Sequence, residues 1–138
     1  MTTLDEVDFA ILRVLSEDAR SSNVSIAKAI SSSEGTVRGR IKKMIDSGVI
    51  QSFTVRVRGA NVRAIIEVAV NEEMSTSIAG KEILAIDGVS EIAEVTGETD
   101  LLIYVNANDT HDLNRIIDKI RIVAGTKSTK TRVILNEY

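Results

Sequence analysis

The chain has no cysteine and no proline, a single histidine, and aromatic side chains at only 3% of its positions. Without cysteine there is no disulfide and no Cys-ligated zinc, and a cytoplasmic setting is the expectation. One histidine, His111, among scattered carboxylates makes neither a metal cluster nor a catalytic triad. No catalytic residue, metal or cofactor is therefore expected, and the chain does not read as an enzyme. An RNA-binding sheet stacks bases on aromatic side chains. Of two tyrosines and two phenylalanines, only Tyr104 falls on an expected central strand. No stretch approaches the roughly 18 consecutive apolar residues of a membrane span. The opening Met1-Thr-Thr-Leu-Asp-Glu6 is acidic and has no apolar signal region, so neither a membrane nor secretion is expected. There is no low-complexity segment and no repeat.

What remains is 138 residues, 43% hydrophobic, with mean hydropathy +0.07. That is enough to bury a core in one ordinary domain or two small ones. The net charge of −3 hides an uneven division. Residues 1–27 hold 2 basic and 5 acidic groups, residues 28–63 hold 8 and 2, and residues 64–138 hold 7 and 13. Concentrated positive charge attracts a polyanion whatever the total.

The basic stretch lies in a helical region. Leu4, Val7, Ile11, Leu12 and Leu15 share one helical face, with Asp5, Glu6 and Asp8 in the first turns, where carboxylates suit the helix dipole. A short second helix is expected over Ser25–Ile30, with Ile26, Ala27 and Ile30 inward. Ser31-Ser32-Ser33 reads as a turn, with Ser33 an N-cap. A third helix then runs to about Ser47, with Val37, Ile41, Met44 and Ile45 inward and Gly48 as its C-cap. Three short helices with a basic third predict a helix-turn-helix whose third helix enters the major groove.

On a helical wheel, Gly35 and Gly39 lie opposite the inward stripe of this third helix. Thr36, Lys42 and Lys43 flank them, and Arg38 and Arg40 sit nearer the edges. A glycine inside a helix costs roughly 1 kcal/mol against alanine. Two on one outer face imply a close approach of backbone to partner. Ser33, Gly35, Thr36, Arg38, Gly39, Arg40, Lys42 and Lys43 are the expected DNA-binding residues. A solvated basic face is the plain alternative. Arg56, Arg58 and Arg63 make a weaker case, since arginines on a strand surface are usually just solvated.

The rest reads strand, helix, strand, strand, helix, strand: about 63–70, 76–86, 89–96, 100–107, 109–123 and 129–136. A βαββαβ order of this length predicts a ferredoxin-like sandwich with helices on one sheet face. Leu101-Leu-Ile-Tyr-Val105 is apolar on both sides, so the other face needs a cover; a second copy of the chain is the simplest.

These residues resemble the Lrp/AsnC (leucine-responsive, or feast/famine) family of regulators. The resemblance rests on Leu4-Asp5-x-x-Asp8-x-x-Ile11-Leu12-x-x-Leu15, Asp18-Ala19-Arg20, Ile26-Ala27, and Ser33-x-x-Thr36-Val37-x-x-Arg40-Ile41-x-x-Met44-x-x-x-Gly48-Val49-Ile50. In the second half it rests on Gly88-Val89, Val95-Thr96-Gly97-x-x-Asp100-Leu101-Leu102, and Thr129-x-Thr131-x-Val133-Ile134-Leu135. It spans nearly the whole chain. It implies an α+β protein: an N-terminal (winged) helix-turn-helix over 1–52, a linker strand over 53–62, and a ferredoxin-like sensing and oligomerisation domain over 63–138. It implies a cytoplasmic regulator of amino-acid metabolism genes that binds double-stranded DNA and an amino-acid effector. Homodimers in the family often assemble further into octamers. Departures stand out, a short linker among them. The family's Gly-Leu before the recognition helix is Ser31-Ser32 here, and its proline before the Gly-Val pair is Asp87.

The effector loop implied by the resemblance is Thr96, Gly97, Glu98, Thr99 and Asp100, with Thr129 and Thr131 on the neighbouring strand. N–H groups near Gly97 would take a carboxylate and Asp100 an ammonium. The alternative is a plain hairpin turn with Asp100 as its cap. Glu91, Glu94 and Glu98 add negative charge nearby, which points to a basic effector such as lysine or arginine. One rival function also stays open: an amino-acid sensor whose helical domain binds a protein partner rather than DNA.

Overall fold

The computed structural model describes residues 3–55 and 61–138. The chain divides into two compact units, Met1–Arg56 and Val57–Tyr138.

The first unit is three helices, α1 (Glu6–Glu17), α2 (Asn23–Ala29) and α3 (Glu34–Asp46). Each begins at a side-chain cap. Asp5 accepts from the N–H groups of Val7 and Asp8 at 2.9 and 3.0 Å, and Asp8 accepts in return from the Asp5 N–H at 3.1 Å, a reciprocal capping box. Ser22 caps α2, so that helix starts two residues before the expected Ser25. Ser33 caps α3 as expected. Ile11, Ile26, Val37 and Met44 are fully or almost fully buried where the helices meet, with Ala27, Leu12, Leu15, Ile30 and Ile41 around them.

Ile45 departs from expectation: it is 45% exposed. Met44 takes the inward place one turn after Ile41, and Ile45, rotated a further ~100°, lies beyond the edge of the stripe. The C-cap of α3 is Ser47, with Gly48 following at φ 73°.

The first departure from the family pattern falls in the turn between α2 and α3. Ser31 sits at φ 54°, the left-handed region, just after the α2 C-cap Ile30. The Ser32 N–H donates to the Ala27 carbonyl at 2.9 Å and the Ser31 N–H to that of Lys28 at 3.4 Å. This is a Schellman motif with serine in the glycine position. A side chain is strained there by roughly 1–2 kcal/mol. Ser31→Gly is therefore expected to stabilise the helical unit by about 0.5–1 kcal/mol, allowing for glycine's extra unfolded-state entropy. Urea denaturation checks this; a lower midpoint would refute it.

The second unit is β1 (Val62–Val70), α4 (Thr76–Leu84), β2 (Val89–Glu94), β3 (Leu101–Ala107), α5 (Thr110–Ile122) and β4 (Thr126–Val133). The antiparallel sheet has the order β2-β3-β1-β4, the split βαββαβ arrangement. Alternate residues Ala64, Ile66 and Val68 of β1 and Leu101, Ile103 and Val105 of β3 face Ala79 and Ile83 of α4 and Leu113, Ile116 and Ile120 of α5 in one buried core.

β4 begins three residues earlier than expected. Its first half, Thr126-Lys-Ser-Thr-Lys130, is polar, but as an edge strand it is held by its ladder to β1 rather than by burial. Val68 pairs with Thr129, Ile66 with Thr131, and a bulge brings Val70 opposite Thr126. Of the expected linker strand, Phe53–Val55 lie outside any strand, and residues 56–60, with Arg56 and Arg58, lie outside the described residues.

Candidate nucleic-acid interface and effector loop

The N-cap that starts α3 also organises its outer face. Ser33 Oγ accepts the Thr36 N–H at 3.1 Å and shares a 2.7 Å hydrogen bond with Thr36 Oγ1. Gly35, Thr36, Arg38, Gly39, Lys42 and Lys43 are exposed. A Cβ placed on Gly35 or Gly39 would meet no atom within 4 Å. The two glycines thus leave an open strip of backbone rather than making room for another part of the unit. Beside the strip is a cleft of about 380 Å³ lined by Thr3, Asp5, Gly35, Gly39, Arg40 and Lys43 among others.

The cations of this face are more encumbered than the sequence shows. Arg38 Nε donates to Glu34 Oε1 at 2.9 Å, and Lys42 pairs with Asp46 at 2.7 Å. Arg40 does not project freely from the face. Its Nη1 lies 2.6 Å from Asp5 Oδ2 and 3.0 Å from Asp8 Oδ1 on α1. Lys43 makes no ion pair among the described residues. Exposed pairs within one helix are worth only ~0–1 kcal/mol, so phosphates can take Arg38 and Lys42 from their carboxylates at little cost. The Arg38 guanidinium holds the Glu34 carboxyl below the usual range, and Arg40, with the Asp8 N–H, does the same for Asp5. Asp5 and Asp8 thus belong to the α3 face. In the sequence, their place in the first turn of α1 accounts for them fully as helix-dipole carboxylates.

In the second unit the loop between β2 and β3 is tied down through Asp100. The Asp100 N–H donates to the Val68 carbonyl at 3.1 Å, its carbonyl accepts from the Val95 N–H at 3.0 Å, and its Oδ2 accepts from the Val70 N–H at 2.8 Å. Val68 pairs with Thr129 on its other side, which places the Asp100 end of the loop and Thr129 on either flank of β1. Thr131 lies opposite Ile66, two residues along the same face. Thr129 Oγ1 accepts from Arg121 Nε at 3.3 Å. Thr96, Gly97 and Glu98 are exposed, with Gly97 at φ 121°; Thr99 and Asp100 are half-buried.

The three glutamates do not converge. Glu91 pairs across from Tyr104 on the sheet face away from the helices. Glu94 points to the helix side and accepts a hydrogen bond from the Thr76 hydroxyl. Glu98 is exposed on the loop. The charge argument for a basic effector therefore loses its geometric basis. Successive strand residues alternate faces, so a spacing of three separates Glu91 from Glu94.

The family models match both units: winged helix-turn-helix DNA-binding over residues 4–51 and Lrp/AsnC ligand binding domain over residues 63–138. The chain belongs to the Lrp/AsnC family. It is 39% identical over 139 residues to the HTH-type transcriptional regulator LysM of Sulfurisphaera tokodaii, covering 100% of this chain and 99% of the relative. The structure of Escherichia coli AsnC superposes with a TM-score of 0.73 at 26% identity, covering 99% of this chain and 95% of that one. A feast or famine regulatory protein from M. tuberculosis, complexed with L-methionine, shares the fold, with a TM-score of 0.82 at 23% identity over 99% and 95% of the two chains. As an Lrp/AsnC protein this is a DNA-binding transcriptional regulator with a ligand-binding domain. No helix among the described residues is long and apolar enough to cross a membrane.

Proposed function

We propose that this Lrp/AsnC regulator reads DNA with the outer face of α3 and responds to a free amino acid at the β2–β3 loop. The observation that carries the DNA half is the strip Gly35–Thr36–Gly39, open to solvent and flanked by Lys42 and Lys43. It lets the helix axis approach the floor of the major groove while Arg38, Lys42 and Lys43 meet phosphates. For the effector half, the exposed N–H groups around Gly97 suit a carboxylate. With Asp100 Oδ2 given to Val70, its Oδ1 is the carboxylate oxygen left for an ammonium. The amino-acid complex of the M. tuberculosis neighbour supports the class of ligand, not its identity. The scattered glutamates set no preference for a cationic side chain. Genes of amino-acid metabolism are the targets this reading implies.

The sheet face away from the helices carries half-buried Ile65, Leu102 and Tyr104, rimmed by the Arg132–Glu67 ion pair at 2.6 Å. A second copy of the chain placed there would bury this patch, in a dimer able to associate further. Two measurements test the proposal. Affinity for a duplex selected by the protein from a random pool should fall steeply with salt, by about 0.9 in log–log slope per phosphate contact. Salt-insensitive or absent binding favours a protein partner instead. In a thermal-shift panel of the amino acids, a ligand at about 100 times its Kd stabilises by roughly 2.7 kcal/mol; no shift with any of them would overturn the effector assignment.

A further inference from the structure

The cluster formed by Arg40, Asp5 and Asp8 is an ionic link between α3 and the start of α1, and its form sets it apart from the other pairs described on the helical unit. Arg38–Glu34 and Lys42–Asp46 are i,i+4 pairs on one helix and orient nothing beyond themselves. Arg40 instead reaches across 35 positions of sequence, contacting both oxygens of Asp5, at 2.7 and 2.6 Å, and Asp8 at 3.0 Å. Asp5 and Asp8 are themselves immobilised, each capping the other's backbone N–H. Asp8 is 13% exposed, Arg40 31% and Asp5 54%. Ile11, Val37 and Met44 share one buried apolar cluster, whose attraction is non-directional. The hydrogen bonds from Arg40 Nη1 to the two carboxylates are directional, so they add an orientational constraint that the apolar cluster lacks. The trio carries a net charge of −1, so it offers a phosphate no surplus cation.

We infer that Arg40 is a positioning residue for DNA recognition: it fixes the rotation and tilt of α3 against α1 through Asp5 and Asp8, and does not serve as a phosphate contact. The inference rests on the reading that α3 enters the groove. Arg40 lies beside the glycine strip, in the same cleft as Gly35, Gly39 and Lys43, so any rotation it prevents would displace the base-reading surface. Loss of the clamp therefore costs discrimination between sequences more than it costs attraction to DNA.

The full chain is tested on two duplexes, one selected by the wild-type protein from a random pool and one of unrelated sequence and equal length. Arg40→Gln, Arg40→Lys, the double variant Asp5→Asn/Asp8→Asn and Lys43→Gln are compared as a function of salt, with helical content checked by circular dichroism. Asparagine still caps a helix, so the double variant removes the clamp while keeping the α1 start. Arg40→Gln and Asp5→Asn/Asp8→Asn should each weaken the selected duplex about tenfold, change the unrelated one less than about twofold, and leave the salt slope unaltered. All three contacts come from Nη1, so Arg40→Lys, which keeps one cationic donor nitrogen on a shorter arm, should restore part of the discrimination lost in Arg40→Gln; it also serves if Arg40→Gln fails to fold. Lys43→Gln should lower the slope by about 0.9 on both duplexes. The inference is overturned if Arg40→Gln lowers the slope as Lys43→Gln does, if it weakens both duplexes equally, or if removing the two carboxylates tightens binding to both. If Lys43→Gln leaves slope and affinity untouched, it is the placement of α3 in the groove that fails.

Discussion

The double variant Gly35→Ala/Gly39→Ala is expected to be more stable than the wild type and to bind DNA far more weakly. Both residues lie in regular α3, and an added methyl group meets nothing within 4 Å at either site. Alanine then removes glycine's backbone-entropy penalty without a steric cost. The gain is up to ~1 kcal/mol at Gly39 in the helix interior and less at Gly35 near its start. For a unit of this size that is a rise in melting temperature of about 4–10 °C. The opposite holds for binding. Two methyl groups one turn apart would stand along the strip where we place the floor of the groove, holding α3 away from the base edges. A loss of two or three base contacts at ~1–3 kcal/mol each is a drop in operator affinity of about 30-fold or more. Phosphate-dominated binding to unrelated DNA should change much less. Equal affinity with a raised melting temperature would show that the glycines serve no contact; a lowered melting temperature would show that the free protein already uses the space.

The second large effect is expected at Gly88→Ala, and here stability is the readout. Gly88 follows α4 at φ 99°, a conformation that side chains rarely adopt, costing about 1–3 kcal/mol. Its carbonyl accepts the Asn106 N–H at 2.8 Å, which pins the start of β2 against β3. A Cβ at this position would lie 2.4 Å from Ile116 Cδ1 and 3.3 Å from the Asn106 carbonyl oxygen. Ile116 is fully buried in α5, so its tip has nowhere to move without shifting its neighbours. Overpacking of this kind costs about 1–3 kcal/mol more. The sum, about 2–6 kcal/mol, is a large part of the ~5–15 kcal/mol that holds a domain folded. Urea denaturation should show the midpoint falling steeply. Gly80→Ala, in α4 with nothing within 4 Å of the added atom, is the control and should be neutral or stabilising. A Gly88→Ala midpoint within the scatter of that control would refute the argument.

Much of the architecture is written locally. The apolar spacing through Leu4, Ile11 and Leu15, the cap at Ser33 and the apolar run from Leu101 to Val105 each need only a few neighbouring residues to be read, because helix and strand signals are short-range. So the three helices, the βαββαβ order and the basic α3 were legible from composition and spacing, and the family pattern agreed with them. The errors lie where a longer-range partner decides. Spacing puts both Met44 and Ile45 on the inward stripe of α3, but packing on α1 and α2 buries Met44 and leaves Ile45 exposed. β4 was placed on its apolar end, while ladder bonds to β1 start it at the polar Thr126.

The sequence by itself determined that this chain has a helical basic half and a sandwich half, since charge and periodicity are properties of the chain. Only the tertiary structure decided what the charged groups do. It gave Arg40 to Asp5 and Asp8 across the helical unit, and the Asp100 carboxylate to a backbone N–H 30 residues away. It also sent Glu91 and Glu94 to opposite faces of one sheet. The physical reason is range. Hydrogen-bond and ion-pair partners act within about 3–4 Å in space, at separations along the chain that no local pattern encodes.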